Sequence, residues 1–558
     1  ANLADLPLGG ATRVEVFRGF APPYLGSSAI GGAINLVTEE ESTTWRAGPA
    51  PVEASVSYGS FETSRQLLTA RVTRGAVRAR VHGSHVRSLG DFTFFDDNGT
   101  PFNATDDSTS VRVNNDFEKW SGLARIDARV GAAGTATLAY DGTIREQGVP
   151  GIGVHQSRAA RAERERHLGY ARFEGAPLFN QLALSAVAFA SRSREKFSDP
   201  LGDAWVVPQA TDNTIDVDGA RTRARWLVPR LPVVFDAVYE GRAERFHPSQ
   251  SLPSRSEGPD RWRRVGTTAL TGELYVLGER LLLSATQRWE RHEGEFYDAP
   301  RFPWLPPTPT GKVTGSARAP SAGLRARVTQ WLTLKGNVGR YYRLPTFLEL
   351  FGNTGSVTGN ADLEPEVGVN RDAGVIVSAP RAGPVEDIFV EASYHDSNVE
   401  NLILFWPNSQ YTSKPRNILA ARVRGWEASA AFTVSGHVRA SVSWARLDTE
   451  DTSAIPYYRG NALPTWPRDE VATSLTTRLR TWRLTYEYHT ITANFLDRAN
   501  LQAVPARHLH SAIVAWDLPV TGLAFTAEGR NLTDNQVSDV GGFPLPGRSF
   551  YTTLAFRR

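Results

Sequence analysis

VEVFRG at residues 14–19, followed by YLGSSAIGGAINLVT at residues 24–38, is the stretch that decides the fold. In each segment apolar and polar residues alternate, which predicts two short β-strands with a turn-rich connection between them. Gly31 and Gly32 precede the second strand, where they permit either a close approach to a neighbouring wall or a simple tight turn. The sequence therefore opens with a small strand pair.

The same two-residue period recurs through the rest of the 558 residues, for example over 52–58, 77–82, 332–338 and 484–489. Such alternation gives a strand one apolar and one polar face. In a soluble sandwich the polar face points outward, whereas in a porin-like barrel the apolar face points outward and the polar face lines the lumen. The alternation itself fits both folds.

Three further features favour the barrel. The strands are numerous, and no long amphipathic helix or run of about 18 apolar residues interrupts them. Short connections such as 131–134 alternate with long polar ones at 90–115, 149–166 and 249–263. Aromatic residues lie near strand ends, as interfacial girdles require: Trp45, Trp120, Trp331, Tyr341, Tyr342 and Trp482.

The last residues of the sequence also predict a barrel strand. Phe550, Thr552, Leu554 and Phe556 share one parity, as in the closing strand of outer-membrane barrels. The sequence after Thr38, divided by the 22 strands of outer-membrane transporters, leaves roughly 24 residues for each strand and its connection. We predict an all-β fold, a transmembrane antiparallel β-barrel of 22 strands with a remnant of a plug domain inside.

Composition excludes several classes of function. The net charge of +3 argues against a nucleic-acid partner held by bulk charge, and the lack of cysteine removes disulfides and thiolate metal sites. The sequence has no nucleophile-elbow motif and no phosphate-loop motif. It also has no zinc-protease motif, because His292-Glu293 lacks the second histidine. We predict that the protein is not an enzyme.

Five segments in order resemble TonB-dependent outer-membrane receptors of the smaller cobalamin and siderophore type. They are 14–38, YRLPTFLELF at 342–351 with GNADLEPE at 359–366, 416–427, 461–468, and EGRNLTDN at 528–535 with PGR at 546–548. The resemblance implies a plug end at residues 1–38 and a barrel at residues 39–558. It places the protein in the outer membrane of a Gram-negative cell, with the long loops extracellular.

The resemblance also implies a function. A small chelate ligand would bind at the loops and the plug apex, and a TonB-type energy-coupling protein would drive plug rearrangement. The usual plug start with its TonB box is not in this sequence, so either the sequence is a fragment, or the missing part is a separate chain, or the barrel does not transport alone. The alternative function is a structural or interaction barrel that associates with other envelope proteins.

Arg18 resembles a plug arginine of the family that meets barrel glutamates, for which Glu366 and Glu427 are the best matches. A buried pair would be charge-assisted and would latch the plug to the wall. The alternative is a solvated lumen pair worth about 0–1 kcal/mol.

Two further sets of residues are candidates for ligands. Tyr24, Trp406 and Tyr411 are predicted to contact the chelate. An acidic loop after Asp91 carries oxygen ligands of the kind that calcium prefers, beside aromatic residues: Asp96, Asp97, Asn98, Asp106 and Asp107. Its spacing is not that of an EF-hand, so a solvated acidic loop is the alternative.

Overall fold

The structure of the chain is a computed structural model. It describes residues 10–18, 22–25, 32–38, 51–100, 102–204, 207–253, 255–298, 308–352, 357–407, 413–540 and 543–557.

One closed antiparallel sheet of 22 strands forms a barrel, which confirms the predicted fold class. A separate hairpin of β1 (Arg13–Arg18) and β2 (Gly32–Val37) precedes it. The barrel strands are β3 (Val52–Gly59), β4 (Thr63–Arg74), β5 (Val77–Ser88), β6 (Phe117–Arg129), β7 (Gly134–Gly148), β8 (Arg161–Gly175), β9 (Leu182–Asp199), β10 (Gln209–Leu227), β11 (Val233–His247), β12 (Arg261–Val276), β13 (Leu281–Asp298), β14 (Thr308–Arg327), β15 (Leu332–Arg343), β16 (Glu366–Ala382), β17 (Val385–Pro407), β18 (Ser413–Val434), β19 (Val438–Asp451), β20 (Asp469–Leu479), β21 (Trp482–Ile491), β22 (Arg507–Asp517), β23 (Leu523–Arg530) and β24 (Ser549–Arg557).

The last strand closes the barrel on the first. β24 pairs with β3 in antiparallel register, with Leu554 opposite Val56. Closure gives every strand two neighbours, so the sheet has no free edge strand among the described residues. The alternation that the sequence shows at residues 549–556 is thus that of a strand in the barrel wall.

The two faces of the wall differ sharply in exposure. On β5, Val81 is 58% exposed on the outer surface, whereas its neighbour His82 is 1% exposed and faces the lumen. This apolar-out, polar-in arrangement is that of a membrane barrel. None of the helices in the described residues has the length and apolar character needed to cross a bilayer.

The two ends of the barrel differ in the length of their connections. The ten connections that follow β4, β6 and every second strand thereafter span two to six residues, and this end is called the short-turn end. The opposite, long-loop end carries connections such as 89–116, 344–365 and 531–548. Small strand pairs lie within these loops, at Thr93–Asp96 with Ser108–Val111, Gly151–Ile152 with His155–Gln156, Ser249–Leu252 with Ser256–Glu257, Asn494–Phe495 with Ala503–Val504, and Ser538–Val540 with Phe543–Pro544.

The described parts of the N-terminal segment, residues 10–18, 22–25 and 32–38, lie inside the barrel. Arg125 Nη1 donates a hydrogen bond to Thr38 Oγ1 at 3.1 Å, and Arg221 Nη1 donates to the Tyr24 carbonyl oxygen at 2.6 Å. Both arginines are lumen-facing side chains of the wall. The first barrel strand begins at Val52, and the predicted boundary between plug remnant and wall after residue 38 stays a prediction.

Two details of the sequence interpretation were wrong. Tyr341 is 2% exposed and packs against Val399 and Leu463 in an interior cluster, so it is not a girdle residue. The loops predicted to reach residues 166 and 263 end earlier, because β8 begins at Arg161 and β12 begins at Arg261.

Candidate functional site

A chain of alternating charges crosses the lumen side of three neighbouring strands. β11 carries charges of alternating sign at every second position of its inner face, and β10 and β12 on either side face these charges with arginines. We call the five residues that contact one another in sequence the lumen ladder: Arg221, Glu240, Arg242, Glu244 and Arg263.

Each step of the lumen ladder is a direct ion pair. Arg221 Nε lies 2.7 Å from Glu240 Oε2, and Arg242 Nη1 lies 3.2 Å from Glu240 Oε1. Arg242 Nε then lies 2.8 Å from Glu244 Oε1, and Arg263 Nε lies 2.7 Å from Glu244 Oε2. Glu240 and Glu244 therefore each divide their two oxygens between two guanidinium groups, and Arg242 joins the two carboxylates.

The lower end of the ladder, at Arg221, contacts the N-terminal segment. In addition to the hydrogen bond from Arg221 to the Tyr24 carbonyl, the guanidinium of Arg223 lies 4.2 Å from the centre of the Tyr24 ring. Arg223 is itself paired with Asp236. Tyr24 thus contacts the wall through both its backbone and its ring.

The upper end of the ladder, at Arg263, contacts the loop between β15 and β16. Arg263 Nη1 donates to the Pro345 carbonyl oxygen at 2.7 Å, and its guanidinium lies 4.9 Å from the Phe347 ring. The ladder is consequently an unbroken set of contacts from the N-terminal segment to this loop.

The loop begins with a short helix, α1 (Phe347–Phe351), whose start and end are both fixed by specific residues. Thr346 accepts a hydrogen bond from the Glu349 N–H at 3.2 Å, while Glu349 Oε2 accepts from the Thr346 N–H at 2.7 Å. Gly352 ends the helix at φ 75°, where a Cβ would lie 2.3 Å from the Val357 carbonyl oxygen. Only glycine fits that position without strain.

Arg343 ties this helix to the wall. Its Nη1 and Nη2 atoms each lie 3.0 Å from an oxygen of Glu349, and Nη2 also lies 2.7 Å from Glu366 Oε1. Glu366, at 1% exposure, further accepts from the Ile403 N–H at 2.7 Å. One guanidinium therefore joins the end of β15, helix α1 and the start of β16.

Aromatic residues pack α1 against the tops of β11 and β13. Phe347 and Phe351 lie 5.8 Å and 5.5 Å from the Phe246 ring centre, and Phe296 closes the group at 5.2 Å from Phe351. Arg261 lies 4.2 Å from the Phe351 ring centre. The long-loop end of the lumen is thus lined by arginine and aromatic side chains.

A second group of this kind lies across the lumen. Arg498 pairs with Asp451 and lies 4.3 Å from the Tyr458 ring centre and 5.8 Å from that of Trp406. Burial acts to raise the pKa of Asp451, but hydrogen bonds from Arg498 and Ser453 outweigh it and hold that pKa below its ordinary value. The predicted ligand residue Trp406 therefore belongs to a cation–aromatic cluster at the long-loop end.

The predicted acidic loop lies at the same end, as expected. Its side chains, however, fix their own turn, because Asp106 accepts from Thr100 Oγ1 at 2.9 Å and Asp97 accepts from the Gly99 N–H at 3.1 Å. The hydrogen bond from Thr100 also lowers the pKa of Asp106. The described residues contain no group of three or more His, Asp or Glu side chains arranged for a metal ion, so the calcium prediction gains no support.

The remaining predicted residues are placed as follows. Glu427 lies on β18 opposite Ser393, beside His395. The side chain of Arg18 and all of Tyr411 lie outside the described residues. The pairing of Arg18 with Glu366 or Glu427 stays a prediction, although Arg343 and the Ile403 N–H already bind both oxygens of Glu366.

The sequence interpretation did not identify the lumen ladder or α1, although both have visible signals. Thr346 and Glu349 form the Thr-x-x-Glu pattern of a capping box. Residues 221–225 and 240–244 carry charges at every second position. Period-two charge on a barrel strand indicates a polar inner face, but it does not identify the partner across the sheet.

A family model described as TonB dependent receptor-like, beta-barrel matches residues 43–532. This range contains the lumen ladder, α1 and the second aromatic cluster. It covers most of the chain.

Solved structures share the fold at low identity. The copper transporter OprC superposes with a TM-score of 0.80 at 18% identity, over 98% of this chain and 85% of that one. The ferric citrate transporter FecA in the unliganded form gives 0.78 at 15% identity, over 99% and 85%. The siderophore receptor PiuA from Acinetobacter baumannii gives 0.74 at 16% identity, over 98% and 86%.

Proposed function

Because the chain belongs to the family of TonB-dependent receptor-like β-barrels, we propose that it takes up a scarce metal chelate across the outer membrane. The chelate is of the siderophore or cobalamin type. Uptake proceeds by rearrangement of the plug, whose end is residues 1–38, and it is driven by a TonB-type energy-coupling protein. The long-loop end faces the outside of the cell.

The observation that carries this proposal is the lumen ladder. It makes contact with Pro345 at the loop that would meet a ligand and with Tyr24 in the segment that would have to move. A ligand that shifts α1 moves the Arg263 guanidinium, which contacts the loop. A shift of Arg263 then displaces Glu244, Arg242, Glu240 and Arg221 in turn, because each is ion-paired with the next. A static barrel would need no such polar route, since apolar packing serves it equally well.

The chemistry of the long-loop end favours a chelate with negative charge. Arg261 lies against Phe351, and Arg416 lies 5.9 Å from the Trp406 ring centre. Guanidinium groups bind carboxylate and phenolate oxygens through paired hydrogen bonds, and aromatic rings cover the flat faces of such ligands. An anionic siderophore fits this lining better than a cobalamin.

Charge pairs also suit a contact that must break. A hydrogen bond from Arg221 and a cation–π contact from Arg223 hold Tyr24 in the resting state, and both guanidinium groups gain hydration when they separate from it under force. The predicted latch between Arg18 and Glu366 or Glu427 would add to this hold. The segment can thus be released without first exposing a large apolar surface.

The test uses the full-length protein, in cells and in detergent. Tryptophan fluorescence measures binding of ferric hydroxamate, ferric catecholate, ferric citrate and cobalamin, and radiolabelled metal measures uptake. We expect one ferric chelate to bind and enter, and Arg263→Gln to reduce uptake more than binding. Arg192→Gln, which removes an outward arginine paired with Asp216, is the matched control.

Two results would overturn the proposal. If no chelate binds or enters, the alternative of a structural barrel that associates with other envelope proteins takes its place. If uptake proceeds equally in cells that lack the energy-coupling protein, the plug does not move by that mechanism.

A further inference from the structure

Three arginines form a diagonal row on the outer face of neighbouring strands β12, β13 and β14. Arg264 lies opposite Glu293, and Arg291 is two residues before that glutamate on the same strand. Arg318 lies opposite Trp289, two residues before Arg291. Diagonal neighbours in an antiparallel sheet are about 7–8 Å apart, so the three side chains form one surface.

This row, called the outer arginine row, is exposed and poorly compensated. The Arg264 side chain is 70% exposed, and the carboxylate paired with it among the described residues, Glu293, lies 3.7 Å away. Arg291 and Arg318 are also exposed, and neither has an ion-pair or hydrogen-bond partner among the described residues. Three like charges at this spacing repel one another unless an anion lies between them.

The height of the row places it at the boundary of the membrane. Arg291 is ten residues from the start of β13 at Leu281, which is roughly 34 Å along a strand at about 3.4 Å per residue. A tilt of about 40° reduces this to roughly 26 Å, the height of the apolar band of such barrels. The side chains below Arg291 on the outer face include Trp289 and Leu283, which suit lipid.

Aromatic residues flank the row in the manner of an interfacial girdle. Trp289 is 38% exposed below Arg291, and the Arg264 guanidinium lies 5.3 Å from the Trp262 ring centre. Indole rings favour the level of the lipid headgroups. The arginines are therefore held where headgroup phosphates of one leaflet lie.

Strand β9 shows that this arrangement is not general around the barrel. Arg192 is also ten residues from the start of its strand and faces outward, but its Nε atom lies 2.7 Å from Asp216. Arg194 pairs with Asp212, and Lys196 pairs with Glu163 at 2.8 Å. The outward cations of β9 are thus neutralised by close ion pairs, whereas those of β12, β13 and β14 have one long ion pair among them within the described residues.

We propose that the outer arginine row, Arg264, Arg291 and Arg318, binds the phosphate groups of an outer-leaflet lipid. The guanidinium groups donate hydrogen bonds to the phosphate oxygens, and Trp262 and Trp289 pack beside the sugar or glycerol and the upper acyl chains. This rests on the proposed function only for its orientation, with the long loops outside the cell.

The test is native mass spectrometry of the full-length protein in a non-ionic detergent, titrated with lipid A, a bisphosphorylated glycolipid. We expect Arg264→Gln/Arg291→Gln/Arg318→Gln to weaken lipid A binding about tenfold or more, because charge-assisted contacts to phosphate are lost. The matched control, Arg192→Gln/Arg194→Gln/Lys196→Gln, removes the same number of charges and should bind like the wild type. Arg291→Gln alone gives a partial loss and serves if the triple variant does not fold.

Three outcomes would overturn the proposal. The two triple variants could lose binding equally, which would reduce the effect to overall charge. Dephosphorylated lipid A could bind as well as the phosphorylated form. Inorganic phosphate in excess could displace the lipid fully, which would indicate a soluble anion as ligand. Lipid binding is measured without chelate or energy coupling, so its failure leaves the uptake proposal standing.

Discussion

Arg263 and Arg264 are consecutive residues of β12, yet they belong to two different environments. Arg263 faces the lumen, where its side chain is 9% exposed and shares Glu244 with Arg242. Arg264 faces outward, where it is 70% exposed and 3.7 Å from its nearest carboxylate. The parity of the strand thus decides whether an arginine forms part of an internal ion-pair network or remains available to an external partner.

Arg263 and Arg264 should also differ in how much their ion pairs contribute to the free energy of unfolding. A buried charge that loses its partner retains its full desolvation cost, whereas an exposed charge is rehydrated. Substitutions on the two faces of one strand should therefore differ strongly in effect, even though the residue type is the same.

The largest effect is expected for Arg263→Gln. It removes one of the two cations that compensate Glu244 and leaves the Pro345 carbonyl without its donor. We expect a loss of about 3–5 kcal/mol in the free energy of unfolding. Denaturant unfolding in micelles, followed by tryptophan fluorescence, measures it, and a loss under about 1 kcal/mol, the range of exposed pairs, would contradict the buried assignment.

A second buried pair gives a pH-dependent prediction. Asp451, at 0% side-chain exposure, pairs with Arg498, and its pKa is held below the ordinary value near 3.8. A carboxylate with a lowered pKa contributes stability above its unfolded pKa and loses it as the pH falls through the folded value. We expect pepsin to leave the loop at residues 452–468 intact at about pH 4 and to cut it at about pH 2.

Asp451→Asn serves as the control for this pH effect. It removes the charge at every pH, so the loop should be cut at both values. Equal cutting of the wild-type loop at both pH values would show that the pair does not hold it.

A smaller effect is expected at the start of α1. Thr346→Ala removes the side chain that accepts from the Glu349 N–H, and loss of such a cap costs about 0.5–2 kcal/mol. The ion pair of Glu349 with Arg343 remains in this variant and still ties α1 to the wall. Hydrogen exchange should therefore become faster in residues 347–351 and stay unchanged in the wall strands. Thr346→Ser, which keeps the hydroxyl, should exchange like the wild type.

The smallest effect is expected on the outer face. Arg264→Gln should change the free energy of unfolding by about 0–1 kcal/mol in detergent, because its ion pair is long and exposed. A loss as large as that of Arg263→Gln would remove the distinction between the two faces.

Parity is the part of this molecule that the sequence predicts best. Alternation identified the inward and outward faces, and the terminal strand with Phe550 and Phe556 predicted closure. The acidic loop after Asp91 was correctly placed at the long-loop end. These features depend on local pattern and on the length of connections, both of which are visible in a single sequence.

Partner choice is the part that the sequence does not predict. Arg343 on the neighbouring strand binds Glu366 through a register that only the folded sheet defines, and the predicted contact of Glu366 with Arg18 stays a prediction. Glu240 and Glu244 meet their arginines for the same reason. Tyr341 was misread because a position near a strand end does not show which face a side chain takes. Tyr341 shares the parity of buried Gly339, opposite to that of exposed Val338 and Arg340.

The lumen ladder connects α1 with the N-terminal segment through contacts at Pro345 and Tyr24. Hydrogen exchange of β2 in full-length protein tests it most directly, with Arg263→Gln compared with wild type and with Arg192→Gln. We predict faster exchange in residues 32–37 for Arg263→Gln alone, because a change at the upper end of the ladder weakens the hold on Tyr24 at the lower end. Unchanged exchange there, with exchange of α1 raised, would show that the two ends are independent and would contradict the account.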